Sequence, residues 1–120
     1  MRKDFFIPLR PKTFANNTKN KRIPDNNRAE FIRKFIELRE NEFDSRVSNK
    51  KSPFDKKVSI KVIFYFEGNY NGDIDNLLKT LFDALQKSGI IKNDNQIRRV
   101  NAELKDNSIF EGISVLMESL

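Results

Sequence analysis

Residues 72–97, GDIDNLLKTLFDALQKSGIIKNDNQI, hold three carboxylates and a lysine at spacings that chemistry can use. Asp73 and Asp75 stand two apart at the expected start of a helix, where the helix dipole favours ionised carboxylates held close together. Lys79 follows Asp75 by one helical turn and can lean over the same patch. Asp94 lies beyond the helix, in a segment that returns the chain toward the next strand. If that return carries Asp94 back over the helix start, three carboxylates and one ammonium converge. Such carboxylates repel one another unless a cation neutralises them. An all-oxygen donor set favours Mg2+, with Mn2+ able to substitute. An ion held there lowers the pKa of a bound water and polarises a phosphoryl oxygen. Lys79 would orient the attacking water or offset charge in the transition state. A plainer reading uses the same residues. Asp-x-Asp-Asn is a common helix cap, Asp75 and Lys79 suit an ordinary i,i+4 ion pair, and Asn93-Asp94-Asn95 suits a turn. Spacing by itself leaves both readings open.

Composition removes several other chemistries. The chain has 120 residues with no cysteine and no histidine. A Ser-His-Asp or Cys-His nucleophile cannot be assembled, imidazole- or thiolate-bound zinc is excluded, and no disulfide framework exists. Carboxylates, lysine, arginine and a hard metal ion remain. The net charge of +6 is unevenly placed, with a balance of +8 over residues 1–60 and −2 over residues 61–120. A basic half beside a slightly acidic half suits a protein that grips a polyanion and sets carboxylates against it. No run of about 18 apolar residues occurs, so no membrane span is expected, and a soluble, cytoplasmic protein is.

The elements that must position the acidic cluster follow from periodicity. Phe5, Ile7 and Leu9 alternate as a short strand that Pro8 and Pro11 confine to a sheet edge. Residues 11–27 form a long basic loop carrying Lys12, Lys19, Lys21 and Arg22, candidate DNA contacts. A first helix starts near Asp25 or Asn26 and buries Phe31, Ile32, Phe35, Ile36 and Leu38, with Phe43 further on. Residues 44–57 form a second basic loop. Val58, Ile60, Val62, Phe64 and Phe66 share one parity, and Ile63 and Tyr65 make the other face partly apolar, which marks a central strand. Ile74, Leu77, Leu78, Leu81, Phe82 and Leu85 keep to one face of a second helix that Gly89 ends. Two strands follow, near Ile97–Leu104 and Ile113–Glu118, split by a turn at Asp106-Asn107. The expectation is one α/β domain over residues 1–120, in β-α-β-α-β-β order, with a mixed sheet packed against two helices. Arg98 or Arg99, on opposite faces of the third strand, is a further phosphate contact, and Arg98 is the preferred candidate.

Taken whole, residues 73–97 resemble the signature of the RusA-type Holliday junction resolvases. That signature reads D-x-D-N-x-x-K, then D-A-L, then an acidic pair followed by Gln and an aliphatic residue. Here stand Asp73, Asp75, Asn76 and Lys79, then Asp83-Ala84-Leu85, then Asn93-Asp94 with Gln96-Ile97. The resemblance implies a homodimeric, Mg2+-dependent endonuclease that cuts four-way DNA junctions by paired nicks, without a nucleotide cofactor. It assigns Asp73, Asp75 and Asp94 to the metal and Lys79 to catalysis. Two departures stand out: Asn93 replaces the first member of the acidic pair, and Gly68-Asn69-Tyr70-Asn71-Gly72 replaces a run of arginines found in some relatives. A nuclease for other branched DNA, or a DNA-binding module without catalysis, are the competing expectations.

Overall fold

In the computed structural model of the chain, residues 2–11, 30–37 and 54–120 are described. Their elements are β1 (Arg2–Ile7), a helical stretch α1 (residues 30–37), β2 (Val58–Tyr65), α2 (Ile74–Lys87), β3 (Ile97–Lys105) and β4 (Gly112–Ser119). The expected β-α-β-α-β-β order and mixed sheet are therefore present. The strands lie in the order β1-β4-β2-β3. β1 and β2 run antiparallel to β4, and β3 runs parallel to β2.

The alternation in β2 decides which face is buried. Val58, Ile60, Val62 and Phe64 point into the core beside Ile113, Val115 and Met117 of β4. Leu77, Leu81, Ala84 and Leu85 of α2, with Phe31 and Phe35 of α1, complete the same cluster. Phe31 and Phe35 are one turn apart, so one face of α1 is apolar while Arg33–Glu37 and Lys34–Glu30 pair on the other. The expected helix start at Asp25 or Asn26, together with Leu38, Phe43 and the basic residues Lys12, Lys19, Lys21 and Arg22, lies outside the described residues.

β1 occupies an edge, as expected, but it ends at Ile7, before Pro8, and does not include Leu9. Pro8 has no N–H to continue the ladder, and Leu9 N–H turns back to the Ile7 carbonyl at 2.8 Å, a three-residue turn. α2 ends in a Schellman motif. Gly89 takes φ 80°, its N–H bonds the Gln86 carbonyl at 3.1 Å, and Ile90 N–H bonds the Leu85 carbonyl at 3.0 Å. Leu85 and Ile90 are both buried there. Among the described residues, no helix is long and apolar enough to cross a membrane.

Candidate active site

β2, α2 and β3 form a parallel crossover, and that topology decides where each candidate residue lies. The chain leaves the end of β2 at Tyr65, enters α2 at Ile74, runs back along the sheet, and re-enters it at Ile97 beside Val58. The helix start thus shares a pole with the strand ends, and the helix end shares a pole with the strand starts. Asp73 and Asp75 occupy the first pole, and Asp94 the second.

At the first pole, Asp73 is the N-cap of α2 by backbone conformation, with φ −90° and ψ 140°. Its carboxylate nevertheless makes no capping hydrogen bond. Asp75 lies in the first turn and is exposed, as are Asp73 and Lys79. Neither Asp75 nor Lys79 joins an ion pair among the described residues, so the ordinary i,i+4 bridge is not formed. Asp83 instead bridges to Lys87 at 3.6 Å. Asn76 is buried, at 7% exposure, one turn before buried Thr80, whose hydroxyl donates to the Asn76 carbonyl at 3.2 Å.

The segment before Asp73 is shaped by aromatic and polar ties. Tyr70 stacks on Phe66 with ring centroids 4.5 Å apart and a 4° interplanar angle, and the Arg10 guanidinium lies 5.2 Å from the Phe66 ring. Tyr70 N–H bonds the Asp106 carboxylate at 2.9 Å, and Asn107 N–H bonds the Gly68 carbonyl at 3.1 Å. The turn at Asp106-Asn107, with Asn107 at φ 55°, therefore braces the loop that feeds α2. Arg10 also pairs with Glu111. Among the described residues, Phe6 and Phe110 are the two phenylalanines that are exposed, and they meet edge-on at 5.5 Å.

At the second pole, Asp94 opens a short 3-10 turn (Asp94–Gln96). Asn93 caps that turn, its side-chain oxygen accepting from Asn95 N–H at 2.9 Å. The Asn93 side-chain oxygen is thus engaged in a cap. Gln96 is the main tie of this pole. Its side-chain oxygen accepts from Lys92 N–H at 2.6 Å and Asn93 N–H at 3.0 Å. Its amide donates to the carbonyls of Phe54 at 2.9 Å and Lys56 at 2.7 Å. A single buried amide with every bond satisfied joins the approach to β2 with the approach to β3 and sets the backbone of Asp94. Sequence reading noted Gln96 as part of a motif but missed this role, because two of its four partners are backbone groups some forty residues away.

The expected convergence of Asp73, Asp75 and Asp94 within one chain does not occur. Asp94 N–H bonds the Gln86 side chain at 3.2 Å, near the end of α2. Gln86 lies about 16 Å along the helix from Asp75 at 1.5 Å per residue. The strands give a similar span, since the eight residues of β2 measure about 23 Å. Among the described residues, no group of three or more carboxylates could hold a metal ion. The physical reason is the crossover itself: a helix that returns from strand end to strand start carries the following loop to the opposite pole. Arg98 and Arg99 are both exposed on β3.

Comparison with known proteins bears on this geometry. The family model described as "Endodeoxyribonuclease RusA" matches residues 8–118. A relative from Aquifex aeolicus (strain VF5), "Crossover junction endodeoxyribonuclease RusA", is 33% identical over 73 residues. That match covers 61% of this chain and 58% of the relative, so the chain aligns with somewhat more than half of that protein's length. With nearly its whole length matched by the family model, the chain belongs to the endodeoxyribonuclease RusA family.

Proposed function

We propose that the protein is a divalent-metal-dependent endodeoxyribonuclease that cuts four-way DNA junctions by paired nicks, acting as a homodimer. The observation that carries this reading is the state of Asp73 and Asp75. In a member of this family, two exposed carboxylates stand at the start of α2, with the first free of the capping bond its position invites. A carboxylate that neither caps nor pairs keeps its oxygens for another partner.

The donor set fits a hard cation. Mg2+ is commonly held by one or two carboxylates together with waters and substrate phosphates, and Mn2+ accepts the same oxygens. Asp73 and Asp75 would hold it, with Asp94 supplied by a second copy because one chain keeps Asp94 at its far pole. When bound, the ion supplies Lewis acidity toward a phosphoryl oxygen and lowers the pKa of its water. The remaining work falls to the chain. Lys79, one turn above Asp75 and unpaired among the described residues, would place its ammonium against the negative charge of the reacting phosphate. Gln96 and Asn93 fix the backbone at Asp94, so that carboxylate is offered from a rigid turn. Lys12, Lys19, Lys21, Arg22 and Arg98 would bind phosphates away from the scissile bond, where each contact adds salt dependence. The domain would span residues 1–120, and a cytoplasmic location suits a DNA substrate. Two junction strands call for two sites related by a two-fold axis, which a C2 dimer provides.

The test is a labelled four-way junction incubated with Mg2+, with EDTA, and with the Asp75→Asn protein. Paired nicks are expected only with Mg2+ and the unsubstituted protein. Cleavage surviving both chelation and substitution would end the proposal, and equal cleavage of linear duplex or flaps would remove the junction as substrate.

A further inference from the structure

Asp73 is exposed, makes no capping bond, and stands beyond the end of β2 on the loop that leads into α2. A carboxylate in that setting holds an ion well only if the backbone that carries it is already fixed. Ordering a loose loop at the moment of binding offsets part of the binding free energy. The loop therefore needs an anchor in the core, and Tyr70 is placed to provide it.

Four contacts fix Tyr70. Its ring lies parallel to that of Phe66, with centroids 4.5 Å apart. Phe66 is fully buried, so this stack ties an exposed loop to the hydrophobic core. The Tyr70 N–H donates to the Asp106 carboxylate at 2.9 Å, and the turn that carries Asp106 is itself tied down by Ser108 N–H on the Phe66 carbonyl at 2.7 Å. The Tyr70 hydroxyl donates to the Asp73 carbonyl at 3.4 Å. The fourth contact is steric. The phenol lies so close over Gly72 that a Cβ there would overlap the hydroxyl oxygen and Cζ, and would stand 2.9 Å from Cε1. At Gly68, in the same loop, a Cβ would meet nothing within 4 Å among the described residues. The close approach belongs to the residue next to Asp73, where only a bare Cα leaves the ring its seat.

We infer that Tyr70 is a positioning residue for the metal site of this chain: its phenol, stacked on Phe66 and seated on Gly72, fixes the peptide from which the Asp73 carboxylate projects. The inference rests on the function proposed above, since it takes Asp73 to hold an ion. Tyr70 acts through Asp73 and not on the ion itself. The stack and the seat carry the effect, because a hydroxyl bond of 3.4 Å is long for its type and adds little. A path of contacts thus runs from the core through Phe66, Tyr70 and Gly72 to the exposed carboxylate, and it orients that group before any ion arrives.

The test is Mn2+ binding by the whole chain, read from the paramagnetic resonance of the free ion, with Mg2+ as competitor. Tyr70→Ala and Gly72→Ala should each weaken binding on the order of 10- to 100-fold, as removal of a group that orients a metal ligand does. Tyr70→Phe keeps the stack and should stay within about threefold of the unsubstituted protein. Once Tyr70 is alanine, adding Gly72→Ala should cost nothing more, because the new Cβ meets no ring, whereas independent effects would multiply. Binding of a four-way junction in EDTA should be the same for the Tyr70 and Gly72 variants, which separates loss of the ion from loss of the fold. If Tyr70→Ala does not fold, the contrast between Gly72→Ala and Tyr70→Phe decides the matter. Unchanged Mn2+ affinity in Gly72→Ala, multiplied losses in the double variant, or a parallel fall in junction binding would each overturn the positioning role while leaving the ion at Asp73. No Mn2+ binding by the unsubstituted protein, with or without junction DNA, would instead refute the metal-dependent reading itself.

Discussion

Replacing Gln96 with leucine removes four hydrogen bonds while nearly conserving side-chain volume, so packing changes little and the polar network is isolated. Gln96 is 9% exposed, and its amide is shared by the carbonyls of Phe54 and Lys56 and the N–H groups of Lys92 and Asn93. Lys56, Lys92 and Asn93 are exposed residues, so their backbone groups regain water in part. Phe54 is fully buried, so water cannot take the place of the Gln96 amide at its carbonyl. A net hydrogen bond contributes about 1 kcal/mol, which places the loss of four at about 3–4 kcal/mol. With a urea slope of about 1.5–2 kcal/mol/M for a domain of this size, the midpoint should fall by about 2 M. Urea unfolding followed by far-UV circular dichroism measures it. Asn93→Ala, which removes one capping bond, should cost about 1 kcal/mol and serves as the graded control. A Gln96→Leu midpoint within 0.5 M or so of the unsubstituted protein would refute the view that this amide ties the two approaches to the sheet.

Three further outcomes follow from the same geometry. Asp75→Asn should lower junction cleavage by about 100-fold or more, yet change unfolding by less than about 0.5–1 kcal/mol, because the side chain is exposed and unpaired among the described residues. Lys79→Ala should behave likewise, with kcat falling and the thermal midpoint nearly unmoved; a large loss of stability would show that Lys79 serves the fold. Gly89→Ala places a Cβ at φ 80° and should cost about 1–2 kcal/mol, a midpoint drop of several degrees in calorimetry.

Much of the fold was legible because burial imposes a period. The helical spacing from Ile74 to Leu85 and the alternation from Val58 to Phe66 both reflect one covered face, and both elements appear where that pattern places them. Gly89 was readable as a helix end because few other residues accept its backbone conformation. Leu9 misled, since its parity fits a strand that Pro8 had already ended. The placement of Asp94 was not legible in the same way. Its distance from Asp75 depends on which pole the crossover returns to, a property of strand order and direction that local pattern does not encode. β3 posed a related difficulty: IRRVNAELK reads as a strand, but nothing in its pattern tells whether its outer edge meets another strand of the same chain, solvent or a copy of itself.

Subunit mixing tests the central claim directly. Asp75→Asn and Asp94→Asn proteins, each inactive alone on a labelled four-way junction with Mg2+, are combined and allowed to exchange subunits. If the metal site joins Asp73 and Asp75 of one protomer with Asp94 of the other, each mixed dimer carries one intact site and one doubly damaged site, and single-strand nicking returns. If every site lies within one chain, each site in the mixture keeps a lesion, the junction stays uncut, and the account fails.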